Sequence, residues 1–402
     1  MGTIAQEISR IQGAKSDLAT SITNKGVTVP AATKIDGYAA LVDQIQQGGG
    51  QENPFLTETD LSYMFDYRKS SDAKIIAGIQ RMSQNNITNM SRSFDHFNDD
   101  DPNEDILALI QNMIIAYPNA DKSYMLNYYT VNENYSGTLN ISTAALGGSM
   151  SHFMYRLFGG SIVGGHNRKI DIVIGNNTFS NVTDLSFCFS EIISNEDCYL
   201  KLTGNRLNIN CNCNYMFSET DGLYFINNND EDIYDLTVDF SGASSTLTAT
   251  NMFYNYDQFN SVNIVGGNKV SDYTNMFRNC YTIVGVTGVD FSNISGASNG
   301  NLFNTSGSTY YDDLGEFGIV NGSALRNGTM TLNLSKIWHG TTSATRDGQT
   351  IGYWYEKFAN ALGNKVYSGT QTITINTTLY NSLTPAQIAL ITDKGYTLAH
   401  AA

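Results

Sequence analysis

The sequence predicts an α+β repeat protein: a β-solenoid carrying a small N-terminal helical docking domain. Three observations predict it. A Met-Phe motif recurs, at Tyr215-Met216-Phe217, Asn251-Met252-Phe253, Asn275-Met276-Phe277 and Asn301-Leu302-Phe303. Short runs of alternating apolar and polar residues separate the copies, as strands with one buried face do. An amphipathic stretch of helical rhythm stands at the N-terminus, ahead of a Gly-rich joint.

The motif sets the repeat unit. A polar or small residue follows three positions after the Phe (Thr220, Tyr256, Cys280), and an apolar one six positions after it (Leu223, Phe259, Ile283). Degenerate copies stand at Tyr63-Met64-Phe65, Ser93-Phe94, Tyr124-Met125-Leu126, Phe153-Met154 and Cys188-Phe189. The Phe-to-Phe spacing of roughly 24–36 residues lies in the range of stacked repeats. One such unit cannot bury its own apolar face; stacked units bury it against each other while their strands pair. The predicted repeat core is therefore Phe65, Phe217, Phe253, Phe277 and Phe303, with Cys280 as a small buried thiol. Ser62, Ser123, Thr250 and Thr274 are expected to cap a short helical turn at the motif.

Residues 1–47 form the docking or oligomerisation segment. Ile4, Ile8, Ile11, Leu18 and Ile22 fall in a 4–3 rhythm, with Lys15 in the remaining slot, and predict a helix with one sticky face. Val27-Thr28-Val29-Pro30 is an extended link, and a second helix is expected over Ile35–Gln47. Residues 48–56 are a Gly-rich linker. Residues 57–335 are the repeat domain. Its expected strands are Leu139–Ser142, Ile170–Gly175, Tyr199–Gly204, Leu236–Gly242, Val262–Gly266, Phe317–Gly322 and Thr329–Ser335, with a helix over Ile106–Tyr117 that caps the first repeats. Residues 336–402 are a C-terminal cap: a helix over Ile351–Leu362, a strand over Thr370–Asn376, and a helix opened by Thr384 as cap with Pro385 at its first position.

Composition narrows the function. The net charge of −15 and the lack of Lys and Arg clusters argue against a nucleic-acid partner. No apolar run approaches the ~18–20 residues of a membrane span. The N-terminus reads as neither a secretory leader nor a myristoylation site. Cys188, Cys198, Cys211, Cys213 and Cys280 are odd in number and irregular in spacing, and read as structural thiols of a reducing compartment. Asp99-Asp100-Asp101 with Glu104-Asp105, and Asp230-Glu231-Asp232, lack the calcium-loop pattern and read as solvated insertions. His96, His152, His166, His339 and His400 stand in no catalytic or metal spacing. Gly159-Gly160 and Gly164-Gly165 make no phosphate loop. The expectation is no catalytic residue, no cofactor, no metal and no enzyme; paired carboxylates of a glycosidase stay formally open.

The run Met276-Phe277-Arg278-Asn279-Cys280-Tyr281-Thr282-Ile283 resembles BspA-type leucine-rich repeats, known in bacterial surface proteins and in phage virion proteins. The resemblance spans roughly residues 57–335 and implies a leucine-rich-repeat-like solenoid. The stretch from Ile8 to Leu18, then through Lys25-Gly26-Val27 to Ile35-Asp36-Gly37-Tyr38, is similar to the opening of many phage tail and virion proteins. Leu383-Thr384-Pro385 through Thr392-Asp393-Lys394-Gly395-Tyr396-Thr397-Leu398 resembles their closing segment. The resemblance implies a virion protein assembled in the host cytoplasm: a tail tip, tail fibre or related appendage. Its expected partners are other virion proteins and a host cell-surface glycan or protein. By analogy with fibres it is a homo-oligomer, a trimer among the candidates. A purely structural collar or head-fibre component, a bacterial surface adhesin and a virion-borne depolymerase are the alternatives. The 24 Tyr and low charge density motivate a glycan contact through stacking on sugar rings.

Overall fold

The computed structural model describes residues 4–23, 28–34, 38, 59–68, 86–99, 106–131, 135–157, 169–175, 177–192, 197–220, 222–227, 229–294, 301–305, 309–325 and 329–402. The linker 48–56, most of the expected second helix, Asp100–Asp105, the two Gly pairs and His166 lie outside them. The chain divides into two compact units, Met1–Thr59 with Arg81–Asn86, and Asp60–Gln80 with Ile87–Ala402. Among the described residues the architecture is mixed α/β, with mostly parallel sheets, few helices and no closed barrel.

In the first unit, α1 (Ile4–Thr23) realises the 4–3 stripe. Ile4, Ile8, Ile11 and Leu18 are exposed, whereas Ile22 is buried, as is Tyr38.

The second unit is organised by a nine-residue turn. It recurs at 60–68, 89–97, 121–129, 149–157, 184–192, 212–220, 248–256 and 272–280, with a shortened copy at 301–305. In each of the eight full copies positions four and eight have positive φ, for example Tyr63 and Tyr67, His152 and Arg156, and Asn275 and Asn279. The backbone N–H groups then divide by parity. Those at positions five, seven and nine fold back to the carbonyl three residues earlier, as Met64 does to Leu61 and Asp66 to Tyr63. Those at positions four, six and eight donate forward to the next copy: Tyr63 to Ser91, Phe65 to Ser93, Tyr67 to Asp95, and so on to Asn279 and Asn304. Stacking of the copies is therefore a backbone ladder.

Position three has no backbone acceptor, and a side chain at position one supplies it. The Asp60, Asn89, Asp121 and Asp184 Oδ1 atoms each accept from the N–H two residues on, at 2.9 Å. Asp272 does the same at 2.8 Å. This corrects the expected cap. Ser62, Ser123 and Thr274 receive it on their own N–H, and Thr250 receives it from Asn214 of the preceding copy. The physical reason is that a turn with left-handed residues has no helical N-terminus for a hydroxyl to serve, while an Asx turn closes over two residues.

Positions two, five, six and nine point inward, except that Arg68, at position nine of the first copy, is exposed. Phe65, Phe217, Phe253, Phe277, Phe303 and Cys280 are all buried. The position-six rings stack from copy to copy, Phe217 to Phe253 at 5.6 Å and Phe253 to Phe277 at 5.7 Å. Cys280 Sγ donates to Phe253 O at 2.8 Å.

Between turns run parallel strands: β1 (Ser136–Asn140), β2 (Lys169–Ile174), β3 (Asp197–Leu202), β4 (Arg206–Asn208), β5 (Leu223–Ile226), β6 (Asp235–Asp239), β7 (Ser261–Val265), β8 (Gly285–Val289) and β9 (Glu316–Ile319). One sheet has the order β1-β2-β3-β5 and another β9-β8-β7-β6-β4. The segment holding β3 and β4 pairs with β5 through its first half and with β6 through its second. The longest motif spacing thus comes from the exposed loop between β5 and β6, which carries Asp230-Glu231-Asp232. Asp99 departs from the solvated-loop expectation: it is buried, pairs in register with Val131, and accepts from the Tyr129 hydroxyl. Gly288 is required where β8 crowds its neighbour, because a Cβ there would sit 1.9 Å from the Ile264 carbonyl oxygen.

Helix α2 (Ile106–Ala116) packs on β1 through Ile106, Ile110, Met113 and Ile114. The C-terminal part adds β10 (Thr331–Leu334), α3 (Ile351–Ala361), β11 (Thr372–Asn376), α4 (Thr377–Ser382), α5 (Pro385–Thr392) and β12 (Thr397–Ala401), with parallel order β10-β11-β12. Thr384 and Gln387 form a reciprocal capping box at the start of α5. Trp338 is fully buried and donates to Gly315 O at 2.7 Å. Phe358 of α3 stacks on Phe317 of β9 at 5.5 Å.

Phe253 touches the rings on both sides of it, so Phe253→Ala is expected to destabilise the second unit by about 3–5 kcal/mol. Denaturant unfolding checks this; a loss within experimental error of zero would contradict a continuous core.

Candidate functional site

The left-handed residues at positions four and eight project away from the core and line up copy upon copy. Position four forms one column: Tyr63, Arg92, Tyr124, His152, Phe187 and Tyr215. The Arg92 guanidinium lies between two rings, 5.5 Å from that of Tyr63 and 4.3 Å from that of Tyr124. Tyr124 stacks on His152 at 4.2 Å, His152 on Phe187 at 4.6 Å, and Phe187 on Tyr215 at 4.6 Å. Position eight forms a second column. Tyr67 stacks on His96 at 4.3 Å, His96 stacks on Tyr128 at 4.5 Å, and Arg156 lies over Tyr128 and pairs with Glu191. Position seven runs between them. Asn127 Nδ2 donates to Asp95 Oδ1 there at 2.9 Å, and Tyr155 donates to Glu191.

The columns change chemistry along the chain for an energetic reason. A left-handed backbone costs an ordinary residue roughly 1–2 kcal/mol. In the earlier copies, ring stacking worth about 0.5–1.5 kcal/mol per pair offsets that cost. In the later copies Asn occupies both positions, and Asn carries the smallest such cost after Gly. There amides replace rings: Asn279 Nδ2 donates to Asn255 Oδ1 at 2.8 Å, and Asn304 Nδ2 to Asn275 Oδ1 at 3.2 Å.

Stacking also determines what the face offers. The ring faces inside each column are covered by their neighbours, so hydroxyl, imidazole and guanidinium edges meet solvent. Tyr63 and Tyr67, in the first copy, are the most open, at 57% and 71% exposure. The expected stacking of sugars along the Tyr array is therefore restricted to exposed rings. Elsewhere, a groove of about 540 Å³ is lined by neutral donors and acceptors that include Ser180, Asn181, Asn210, Asn212, Ser244 and Thr246.

The described histidines, the cysteines and Lys122 are engaged in packing. Burial lowers the His152 imidazole, which sits between two rings. Burial raises all five cysteine thiols, each free and buried, which keeps them protonated and unreactive. His339 stacks on Tyr310 at 4.1 Å, and His400 lies 4.5 Å from Tyr380. Lys122 occupies position two, an inward position, and is fully buried. Its ammonium donates to the carbonyls of Pro118, Ala120 and Gly147, and burial pulls its pKa down to about 8.

The two columns were not among the expected site residues. Their signal lies in residue pairs four apart that straddle each motif: Tyr63 with Tyr67, Tyr124 with Tyr128, Asn251 with Asn255 and Asn275 with Asn279. Comparison with protein-family models, with curated proteins and with solved structures returns no match. Among the described residues, no helix is long and apolar enough to cross a membrane.

Two outcomes are expected. Alanine at His152 and at Phe187, alone and together, should reveal a coupling of about 0.5–1.5 kcal/mol in a double-mutant cycle of unfolding; strict additivity would mean that the column contributes no stacking. Lys122 titrates near 8 when folded, against an ordinary value of 10.5. Below the lower value both states are charged and folding bears the full cost of burial. As pH rises between the two values, only the unfolded chain keeps the proton. Stability should therefore climb across this window by roughly 3 kcal/mol. The climb should be absent from Lys122→Met, measured by chemical denaturation at matched pH.

Proposed function

We propose that the chain is a structural protein of a bacteriophage virion, in the tail tip, a tail fibre or a related appendage. Its stacked copies form a BspA-type, leucine-rich-repeat-like solenoid that serves as a contact platform rather than an enzyme. The observation that carries this reading is the turn face: two regular columns of outward side chains, built by the backbone ladder and extended copy by copy. Such a face presents many modest polar contacts over a long surface, which suits attachment through repeated weak interactions.

The helical segment supports assembly. Ile4, Ile8, Ile11 and Leu18 stay exposed on one stripe of α1, in the spacing of a coiled-coil seam, with Lys15 as the polar residue within it. Sister chains or a neighbouring virion protein would cover that stripe, and a homo-oligomer is the arrangement we favour. The titratable residues support a non-enzymatic role, since the imidazoles stack and the thiols are buried.

Host contact is the preferred use of the turn face, through Tyr hydroxyls and through the neutral groove near Asn210 and Asn212. Because the ring faces within the columns are covered, contact with neighbouring virion proteins is the second reading.

Antibody labelling of particles, combined with adsorption by particles carrying Tyr63→Ala and Tyr67→Ala, tests the proposal. The expectation is labelling at an appendage and slowed adsorption. Labelling with unchanged adsorption would leave the structural reading and remove host contact at these rings; absence of the chain from particles would sink both.

A further inference from the structure

The position-seven and position-eight columns bring together four side chains from three successive turns: Asp66, Asp95, His96 and Asn127. Asp66, Asp95 and His96 each bring one atom to the same point. His96 Nδ1 lies 2.8 Å from Asp95 Oδ1 and 3.9 Å from Asp66 Oδ1. The shorter contact is off the line that a ring N–H needs, so it is not a hydrogen bond, and His96 Nδ1 is buried without one. Asp66 Oδ1 is likewise buried with no donor. Asn127 is only 5% exposed, and its Oδ1 has no donor either. An orphaned acceptor in such a place costs about 1–3 kcal/mol. Two such atoms, Asp66 Oδ1 and His96 Nδ1, stand 3.9 Å apart, where one cation would satisfy both.

The surroundings hold these groups in place. The His96 ring is clamped between Tyr67 and Tyr128, within 13° of parallel to both, which fixes its orientation. Arg92 engages Asp95 through the other carboxylate oxygen, Oδ2, at 3.2 Å, and leaves Oδ1 facing the imidazole. Asn127 reaches Asp95 Oδ1 through Nδ2, and a half-turn of its amide would present oxygen there instead.

The geometry points to a divalent metal site of the zinc class, ligated by Asp66, Asp95 and His96, with Asn127 or water completing the shell. The three ligand atoms lie within 4.8 Å of one another. Ligands held at about 2.0–2.2 Å in a tetrahedron stand about 3.4 Å apart, so the 2.8 Å pair must open and the 3.9 Å pair must close, each by roughly half an ångström. One imidazole with two carboxylates favours zinc or manganese over calcium or magnesium, which take oxygen sets. The three ligands stand at i, i+29 and i+30, a spacing no short motif contains, which is why sequence spacing indicated no metal. The site joins the first two turns side chain to side chain, and it is independent of what the turn face binds.

Calorimetric titration of the chelator-treated full chain with Zn²⁺, alongside thermal unfolding with and without the ion, tests the site. His96→Phe keeps a ring in the stack and removes the ligand; neighbouring copies already carry Tyr at that position. Asp66→Asn is nearly isosteric and guards against a folding defect in the first variant. The expected result is one ion bound per chain, a raised unfolding midpoint, and affinity at least about tenfold weaker in each variant. Absence of binding in the wild-type chain, or equal binding in both variants, would overturn the assignment.

Discussion

The second unit depends on how a nine-residue turn disposes of its N–H groups. Donors at odd positions close the turn on itself, and donors at even positions reach the next copy. This division requires two left-handed residues four apart, since a right-handed backbone throughout would send every N–H back along one helix. The turn is thus closed locally and open to its neighbour at once. Position three is left without a backbone acceptor, and Asp or Asn at position one answers it in most copies.

Side-chain direction follows from the same geometry. Positions two, five and six, and position nine beyond the first copy, converge on the interior, where Met, Phe and small residues interleave, while four and eight leave it. The strands between turns inherit a parallel register because each copy returns to the same height beside the last. Insertions are absorbed outside the turns. The loop between β5 and β6 and the helix α2 both fall between copies, and the forward hydrogen bonds continue on either side of them.

Much of this was legible in the sequence. The inward Met and Phe, the seven expected strands within a few residues, and the helices at Ile106, Ile351 and Pro385 all follow from burial period and end signals. The turn itself was not legible, because hydrophobic spacing reports which side chains are buried and says nothing of φ. Early copies looked degenerate for the same reason. Ser93-Phe94, Tyr124-Met125-Leu126 and Phe153-Met154 vary in apolar identity, yet each keeps a side-chain acceptor at position one and the pair of left-handed residues. The short α4 was missed because it is only Thr377–Ser382, a segment with little apolar rhythm to detect. Asp99 was misread because an acidic run implies solvent, and only the structure shows the strand pairing and the Tyr129 hydroxyl that bury it.

The outward columns are where such a scaffold is free to change. Their residues must tolerate positive φ, but they fill no part of the core, so rings, amides, Arg and Glu all appear there. A change at position four or eight alters the face while leaving the backbone ladder intact. It also alters the two neighbours it stacks on, so contact properties shift in groups of three copies rather than singly. A fold built this way separates stability, held in main-chain hydrogen bonds and the Phe ladder, from surface chemistry, held in exposed edges. Under the proposed function, that separation would let one fold be kept while the contact face varies.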